Sequence, residues 1–516
     1  MIVTVKNLNQ FGMISDIPSF ETPINAWTTI KNCSLRRGSI GKSGNIIEVM
    51  VPSQDTVNKM YPKNGLIYFG TKDKLYVDDG FSNRDVSRTT AYTTTNEWFF
   101  TELSDILIAV NNTNTPQMLK GNASNFEDLT KWGYELGAQH DWKANKMIGF
   151  KNFLIAWGMV EDGVEFKQRV RWSNIALPNE VPNSWDASDQ STSAGFNDLS
   201  EMKGESQIID MVPYNDFLII YTTREAYLMT YTGGDSIFSF RKIFDNISLI
   251  SPECAVATPK GHIVVTNDDI IIHNTQEITS LIENKIKLEL FNVINQGNTK
   301  DVLMQYYPAK NEVWVLYPST INQPLNRAVI LSLDSLSWVY RDVNGVTSIT
   351  YGVIPSEKNK IINTQDYVIN TDPRSQVPIN GIGQDFIKQS LLVSTANLSF
   401  YAVDEGLVTA NTLPAMAEKR YMDFDDYGFE STSHKQIKSI YPHVRGEGII
   451  NITIGVSESP YIEPTWTKTK QFNIKTDRKI DFRVTGRYIS IRFESFDGLD
   501  WDMSSFEIEI EPNGIR

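Results

Sequence analysis

Residues 38–43 read Gly-Ser-Ile-Gly-Lys-Ser, and a Gly-Lys-Ser run is the part of a phosphate-binding loop that grips a nucleotide's phosphates. That loop also needs a glycine five positions before its Gly-Lys pair. Arg36 stands there, and no apolar strand leads in, so a polar turn is expected. The five histidines (His140, His262, His273, His434 and His443) show no HExxH, no His-x-His and no neighbouring Cys, so no metal site is assigned. Asp423, Asp425 and Asp426 open like a calcium loop but lack the later Glu ligand. Cys33 and Cys254 are far apart and form no CxxC pair; buried thiols are expected. A glycosidase would need a carboxylate pair, and no local signature selects one from the 62 acidic residues. No GxSxG occurs either. Catalytic residues, metal and cofactor are therefore all assigned as none.

Residues 332–338, Ser-Leu-Asp-Ser-Leu-Ser-Trp, resemble the Asp-box of sialidases but lack its Gly, and read as a strand and turn. The net charge of −14 disfavours binding to phosphate backbones, yet is compatible with DNA that merely passes by. With 41% apolar and 21% charged residues the chain has a globular composition, and no apolar run reaches the roughly 20 residues of a membrane span. The opening residues have no signal-peptide pattern, so folding in a cytoplasm is expected.

The elements that must carry any site are strands. Aromatics reach 11%, and runs of Leu, Ala and Glu are scarce. One unit recurs, an apolar run, a polar turn and a second apolar run. The pairs are 65–69 with 74–77, 105–110 with 118–119, 152–157 with 169–172, 216–221 with 226–229, 262–266 with 270–273, and 312–317 with 328–331. A weaker seventh is 391–394 with 398–401. Nearly all residues of the first run in each pair are apolar, as in a strand covered on both faces, and the run is read as an inner propeller strand. Copies at blade-like spacing must stack, and a closed ring removes free edges. The fold class expected is all-β: a six- or seven-bladed β-propeller over 51–420, preceded by a segment 1–50 making platform or assembly contacts. Alternating runs near 449–454, 472–474, 488–493 and 506–510 predict a C-terminal β-sandwich over 421–516, beyond a linker at 422–428. Residues 301–307 and 280–292 are the main helix candidates.

Two segments carry a family resemblance. Ala26-Trp27, Asn32, the basic run ending Arg36-Arg37-Gly38, then Lys42 and Gly44 resemble the opening of tail nozzle (tail tubular) proteins of short-tailed bacteriophages. Arg171-Trp172-Ser173-Asn174, followed by Pro178, Trp185 and residues 193–195, resembles a strand-to-loop passage in the same family. Residues 486–493 with Trp501 and 507–511 are similar to its closing strands. The resemblance implies a structural, non-enzymatic virion protein in the phage tail, made in the host cytoplasm. It implies a homo-oligomeric, hexameric ring below the portal and adaptor, docking fibres or a tail tip. It also implies a conduit for non-specific passage of double-stranded DNA. From the charge balance, Glu507, Glu509 and Glu511 are candidate channel-lining residues. The competing reading is a glycan-degrading or glycan-binding propeller.

Overall fold

The computed structural model describes the chain except residues 81, 96, 122, 200–205, 235, 295–298, 321–322, 355–388, 405–412 and 514–516. It is almost entirely β and divides into two compact units. Unit 1 is Met1–Ile47, Ser280–Asn344 and Val403–Arg516; unit 2 is Glu48–Thr279 and Gly345–Ala402. Each is built from separated stretches of chain, so the contiguous division 1–50, 51–420 and 421–516 does not describe this molecule.

Unit 2 is the propeller. Five four-stranded sheets follow one another, opening with Lys59–Lys63, Phe99–Leu103, Trp142–Phe150, Ile208–Tyr214 and Ala255–Thr258. In each, strands pair in chain order, as in a meander. A sixth sheet joins the end of Ser337–Val353 to Gln389–Thr395, Phe400–Val403 and the early strand Ile46–Glu48. Its ring neighbour is the first sheet: the Phe69 and Phe400 rings lie 5.2 Å apart, and Met60 N donates to Ser348 Oγ at 3.0 Å. Among the described residues the blade count is six, and the weak copy at 391–401 supplies the sixth blade.

The apolar runs found in the sequence are the second strands of these blades. Leu66–Gly70, Ile106–Val110, Phe153–Glu161, Phe217–Thr222 and Gly261–Val265 each follow a more polar strand that is the innermost one. The second strand is covered on both faces because blades stack face to face: Ile106–Val110 is buried at all five positions. One cluster joins blades one and two through Leu75, Val77, Trp98, Phe100 and Leu107, and another joins three and four through Phe153, Trp157, Leu218 and Ile220. The innermost strand keeps polar side chains because it borders the ring axis. At Gly149 an added Cβ would lie 2.0 Å from Glu102 O, so glycine lets blade three approach blade two. Asn64 and Gly65, at φ 53° and 78°, make the tight first hairpin that an Asn-Gly pair favours.

Unit 1 holds two sheets that face each other. One has the order Cys33–Arg36, Ser39–Lys42, Trp501–Pro512, Lys435–Gly446, Ile480–Gly486, with Ile2–Lys6 also on Trp501–Pro512. The other contains Leu303–Tyr307, Glu312–Tyr317, Leu325–Ser332, the start of Ser337–Val353, Thr29–Lys31, Ala415–Met422, Tyr488–Ser495 and Ile449–Ser457. Phe493 of one sheet packs against Phe506 of the other at 5.2 Å, and Trp27 packs on both rings. The expected C-terminal strands form, but the sandwich is completed by the N-terminal segment. The sixth hairpin of the repeat, 312–317 with 328–331, belongs here and not to the propeller. Its fully buried strand Glu312–Tyr317 shows the same pattern as a blade strand, because burial pattern does not reveal which neighbours provide the cover.

Two smaller expectations are corrected. Residues 303–307 form a strand, and the helix occupies Lys287–Ile294. Residues 422–428 are not a boundary: Phe424 is buried against Phe429 within unit 1, and the acidic residues form one tight turn beside it.

Candidate functional site: the polar clusters of each unit

In unit 2 three inner strands and the turn before a fourth bring four charged residues together at the propeller axis. Lys59 Nζ lies 2.5 Å from Glu253 Oε2, while Lys146 Nζ lies 3.2 Å from Asp210 Oδ2 and 3.9 Å from Glu253 Oε1. Burial pushes the Glu253 carboxyl up, but Lys59 and Lys146 outweigh it and hold it below the usual range. The Asp210 oxygens accept from Met211 N at 2.9 Å and Glu253 N at 2.7 Å. Four blades thus meet in one hydrogen-bonded group. Removing one member strands a buried charge, a loss of roughly 3–5 kcal/mol. The group spans the axis with side chains and binds the ring across its middle. Sequence reading missed all four residues, because Lys59, Lys146 and Asp210 are isolated charges on different strands, Glu253 sits in a turn before a fourth, and only ring closure joins them.

A second buried cluster links blades four and five. Tyr221 OH lies 2.7 Å from both His262 Nδ1 and His273 Nε2. His262 Nε2 faces Pro213 O at 3.1 Å, so Nε2 carries the proton and Nδ1 accepts from the tyrosine. Thr275 N donates to His273 Nδ1, so His273 Nε2 carries its proton toward the tyrosine oxygen. Every member is satisfied only while both rings are neutral. Burial pushes His262 down to about 4, and burial with repulsion from His262 pushes His273 down to about 3.

The residues of the second resembling segment lock the outer part of blade three. Arg171 is 1% exposed, pairs with Glu135 and Glu161 at 3.1 Å each, and stacks 3.9 Å from the Trp142 ring. Trp172 Nε1 donates to Ser193 O, and its ring packs on Phe238 of blade four. Leu154 N donates to Ser173 Oγ at 3.0 Å, and Asn174 Oδ1 accepts from Ser193 N at 2.8 Å. Together they pin the loop that leaves the blade.

In unit 1 the first resembling segment is equally structural. Trp27 is buried and donates from Nε1 to Leu8 O. Asn32, buried at φ 54°, donates to Asp342 Oδ2 and Pro414 O and accepts from Asp342 N. Three distant stretches of chain are stitched by one amide. Arg36 is exposed and pairs with Asp500 at 3.3 Å, and Gly38, at φ 78°, turns the hairpin. Lys42 is buried and donates to Asp497 O at 2.5 Å, so its ammonium faces a carbonyl and residues 39–42 form a strand. An added Cβ at Gly44 would lie 2.8 Å from the Asp404 backbone. Gly44 O accepts from Arg341, whose guanidinium also pairs with the buried Asp404. Lys310 adds a second cation to Asp404 at 2.6 Å.

Beside that group a cavity of about 430 Å³ is lined by Arg36, Arg37, Lys310, Glu312, Asp334 and Asp502, among others. Burial, reinforced by Asp404, pushes the Glu312 carboxyl up to about 7. Asp334, in the segment that resembles an Asp-box, accepts from Asn311 and belongs to a turn. Lys419, also missed from sequence, is pushed down to about 7 by burial, while Ser19 O, Thr22 O and Pro23 O accept from it.

Glu507, Glu509 and Glu511 lie on the half-exposed face of Trp501–Pro512 and alternate with buried Phe506, Ile508 and Ile510. They are partnered: Glu507 by His443 at 3.4 Å, Glu509 by the Tyr441 hydroxyl at 3.3 Å, and Glu511 by Lys438. Cys33 and Cys254 are buried free thiols, each pushed up to about 12 by burial. Among the described residues no group of three or more His, Cys, Asp or Glu side chains could hold a metal ion, and no helix is long and apolar enough to cross a membrane.

No protein-family model matches the chain, and no curated protein sequence matches it. Similar solved structures include the computationally designed protein Ika8, at 8% identity and a TM-score of 0.36, covering 69% of this chain and 99% of that one. A second is PorZ, an essential bacterial surface component of the type-IX secretion system of Porphyromonas gingivalis, at 8% identity and a TM-score of 0.36. A third is the extracellular domain of BT4673 from B. thetaiotaomicron, at 10% identity and a TM-score of 0.43. They cover 85% and 89% of this chain, which spans only 46% and 59% of theirs.

Proposed function

We propose that the chain is a structural subunit of a ring-shaped tail nozzle in a short-tailed bacteriophage, six copies forming the DNA-ejection conduit below portal and adaptor and docking fibres or a tail tip. The observation that carries the reading is the packing of Trp27 on Phe493 and Phe506, with Asn32 bonded to Asp342 and Pro414. The opening and closing segments that separately resemble the nozzle family lie in one β unit. A six-bladed propeller accompanies it, the pairing of domains that the resemblance implies. The Lys59–Glu253–Lys146–Asp210 group crosses the propeller axis, so in this reading the duct is the space enclosed by several copies. Electron microscopy of assembled tails, with native mass spectrometry of the purified protein, tests it. A ring of this chain next to a portal complex is expected; a monomer inside intact virions would refute it.

A second reading is favoured by one observation. Glu312, a carboxyl raised to about 7, lines the cavity near Asp334 and Asp502, as a general acid acting on a glycan would. Clearance of host polysaccharide by the purified protein, lost in Glu312→Gln, would establish that activity in place of the structural role.

A further inference from the structure

The axial group of unit 2 has more than ion pairing in it. Lys146, on the inner strand of blade three, is 11% exposed in its side chain, and Asp210, on that of blade four, is 5% exposed. The ammonium touches the carboxylate at 3.2 Å, a second carboxylate, Glu253, stands 3.9 Å from the same nitrogen, and the Phe99 ring covers it at 4.5 Å. Two backbone N–H groups, from Met211 and Glu253, point at the two Asp210 oxygens. An amine, a carboxyl group, a proton carrier and oxyanion donors are thus held together away from bulk water. Those are the components of amide formation.

We propose that Lys146 and Asp210 condense into an intramolecular isopeptide bond that covalently joins blades three and four. Glu253 takes one proton from the Lys146 ammonium, and the freed lone pair forms the Nζ–Cγ bond. The charge that gathers on Asp210 Oδ1 is held by Met211 N–H, as in an oxyanion hole. A second nitrogen proton and the proton on Glu253 pass to Oδ2, the Cγ–Oδ2 bond breaks, and one water leaves. The ammonium and carboxylate charges cancel, Glu253 is regenerated, and no oxidant or activating group is consumed. The fold supplies the driving force, because both partners are fixed on rigid strands and the reaction pays no cost of encounter. Lys59, 2.5 Å from Glu253, holds that carboxylate in its basic form at the start.

The test is the intact mass of the full-length chain after denaturation, followed by tryptic mapping. Loss of exactly one water is expected in the wild-type chain, together with a branched peptide joining Lys146 to Asp210 and no cleavage after Lys146. A wild-type chain at its full sequence mass and cleaved after Lys146 would overturn the proposal, and because the reading is made on unfolded protein it does not depend on any variant folding. Lys146→Arg should show no loss of water; loss that persists in it arises elsewhere and also overturns the assignment. Glu253→Gln should stay at full mass, and condensation at the wild-type level in that variant would remove Glu253 from the chemistry.

Discussion

Acid should loosen the propeller at the joint between blades four and five before it touches the carboxylate network. His262 and His273 are 0% and 2% exposed, so the Tyr221 cluster is not screened by solvent. A histidine whose folded pKa lies below its unfolded value adds stability that is complete above the unfolded value, near 6.5. That stability is lost as pH falls toward the folded value. For His262 the fall is from 6.5 to about 4, roughly 2.5 pH units, and at about 1.36 kcal/mol per unit the first proton removes about 3 kcal/mol. His273, pushed to about 3 partly by its neighbour, takes the second proton later and adds to the loss. Asp78 and Glu312, raised to about 6 and about 7, act in the opposite sense over the same window, so the comparison must be made against a variant. Urea titrations between pH 7 and 4.5, read by hydrogen exchange in Phe217–Thr222 and Gly261–Val265, should show the wild type losing stability. The double variant His262→Gln, His273→Gln should show a flatter profile. Parallel profiles for the two proteins would refute the assignment of neutral, buried histidines.

Trp314 is fully buried and donates to Glu312, so Trp314→Ala should cost about 3–5 kcal/mol in chemical denaturation, and wild-type stability would contradict its place in the core of unit 1. Asn32→Ala removes the part-buried bonds to Asp342 and Pro414, at roughly 0.5–1.5 kcal/mol for each while Lys31 still pairs with Asp342, visible as a lowered Tm. Replacing Glu507, Glu509 and Glu511 by Lys sets a like charge against Lys438 and removes the partner of His443 on a half-exposed face, so assembly should survive. In the nozzle reading, genome release from such particles should slow, most at low salt where screening is weak; unchanged release kinetics would remove these carboxylates from the duct.

The hairpin repeat was legible because stacking sheets on both faces leaves an unmistakable mark, five consecutive apolar residues in Ile106–Val110. The same mark on Glu312–Tyr317 misled, since cover by a sandwich and cover by neighbouring blades select the same residues. The alternating C-terminal strands were read correctly as half-covered, but nothing local in Ile2–Lys6 or Cys33–Arg36 reveals that they pair 500 residues away by sequence or close a hairpin in the same sheet. The ionic group at the axis and the Tyr221 cluster were invisible for a related reason. Their members are single polar residues on separate strands or, for Glu253, in a turn, and only the register of a closed ring gives them partners.

The strand Ile46–Glu48 pairs with Phe400–Val403, and that one pairing sets a timetable. A ribosome delivers the first of these strands long before the second, so the circle stays open while five blades emerge and can stack. Their terminal edges must remain unpaired until Phe400–Val403 is made. Contacts so distant in sequence close slowly, and the last event in closing the propeller ring is the arrival of the early strand at the late one. A permuted gene opening after Glu48, with residues 516 and 1 joined, would cut the separation of the two strands from about 350 residues to about 160, and refolding from denaturant should speed up; an unchanged refolding rate would show that this pairing is not the slow step.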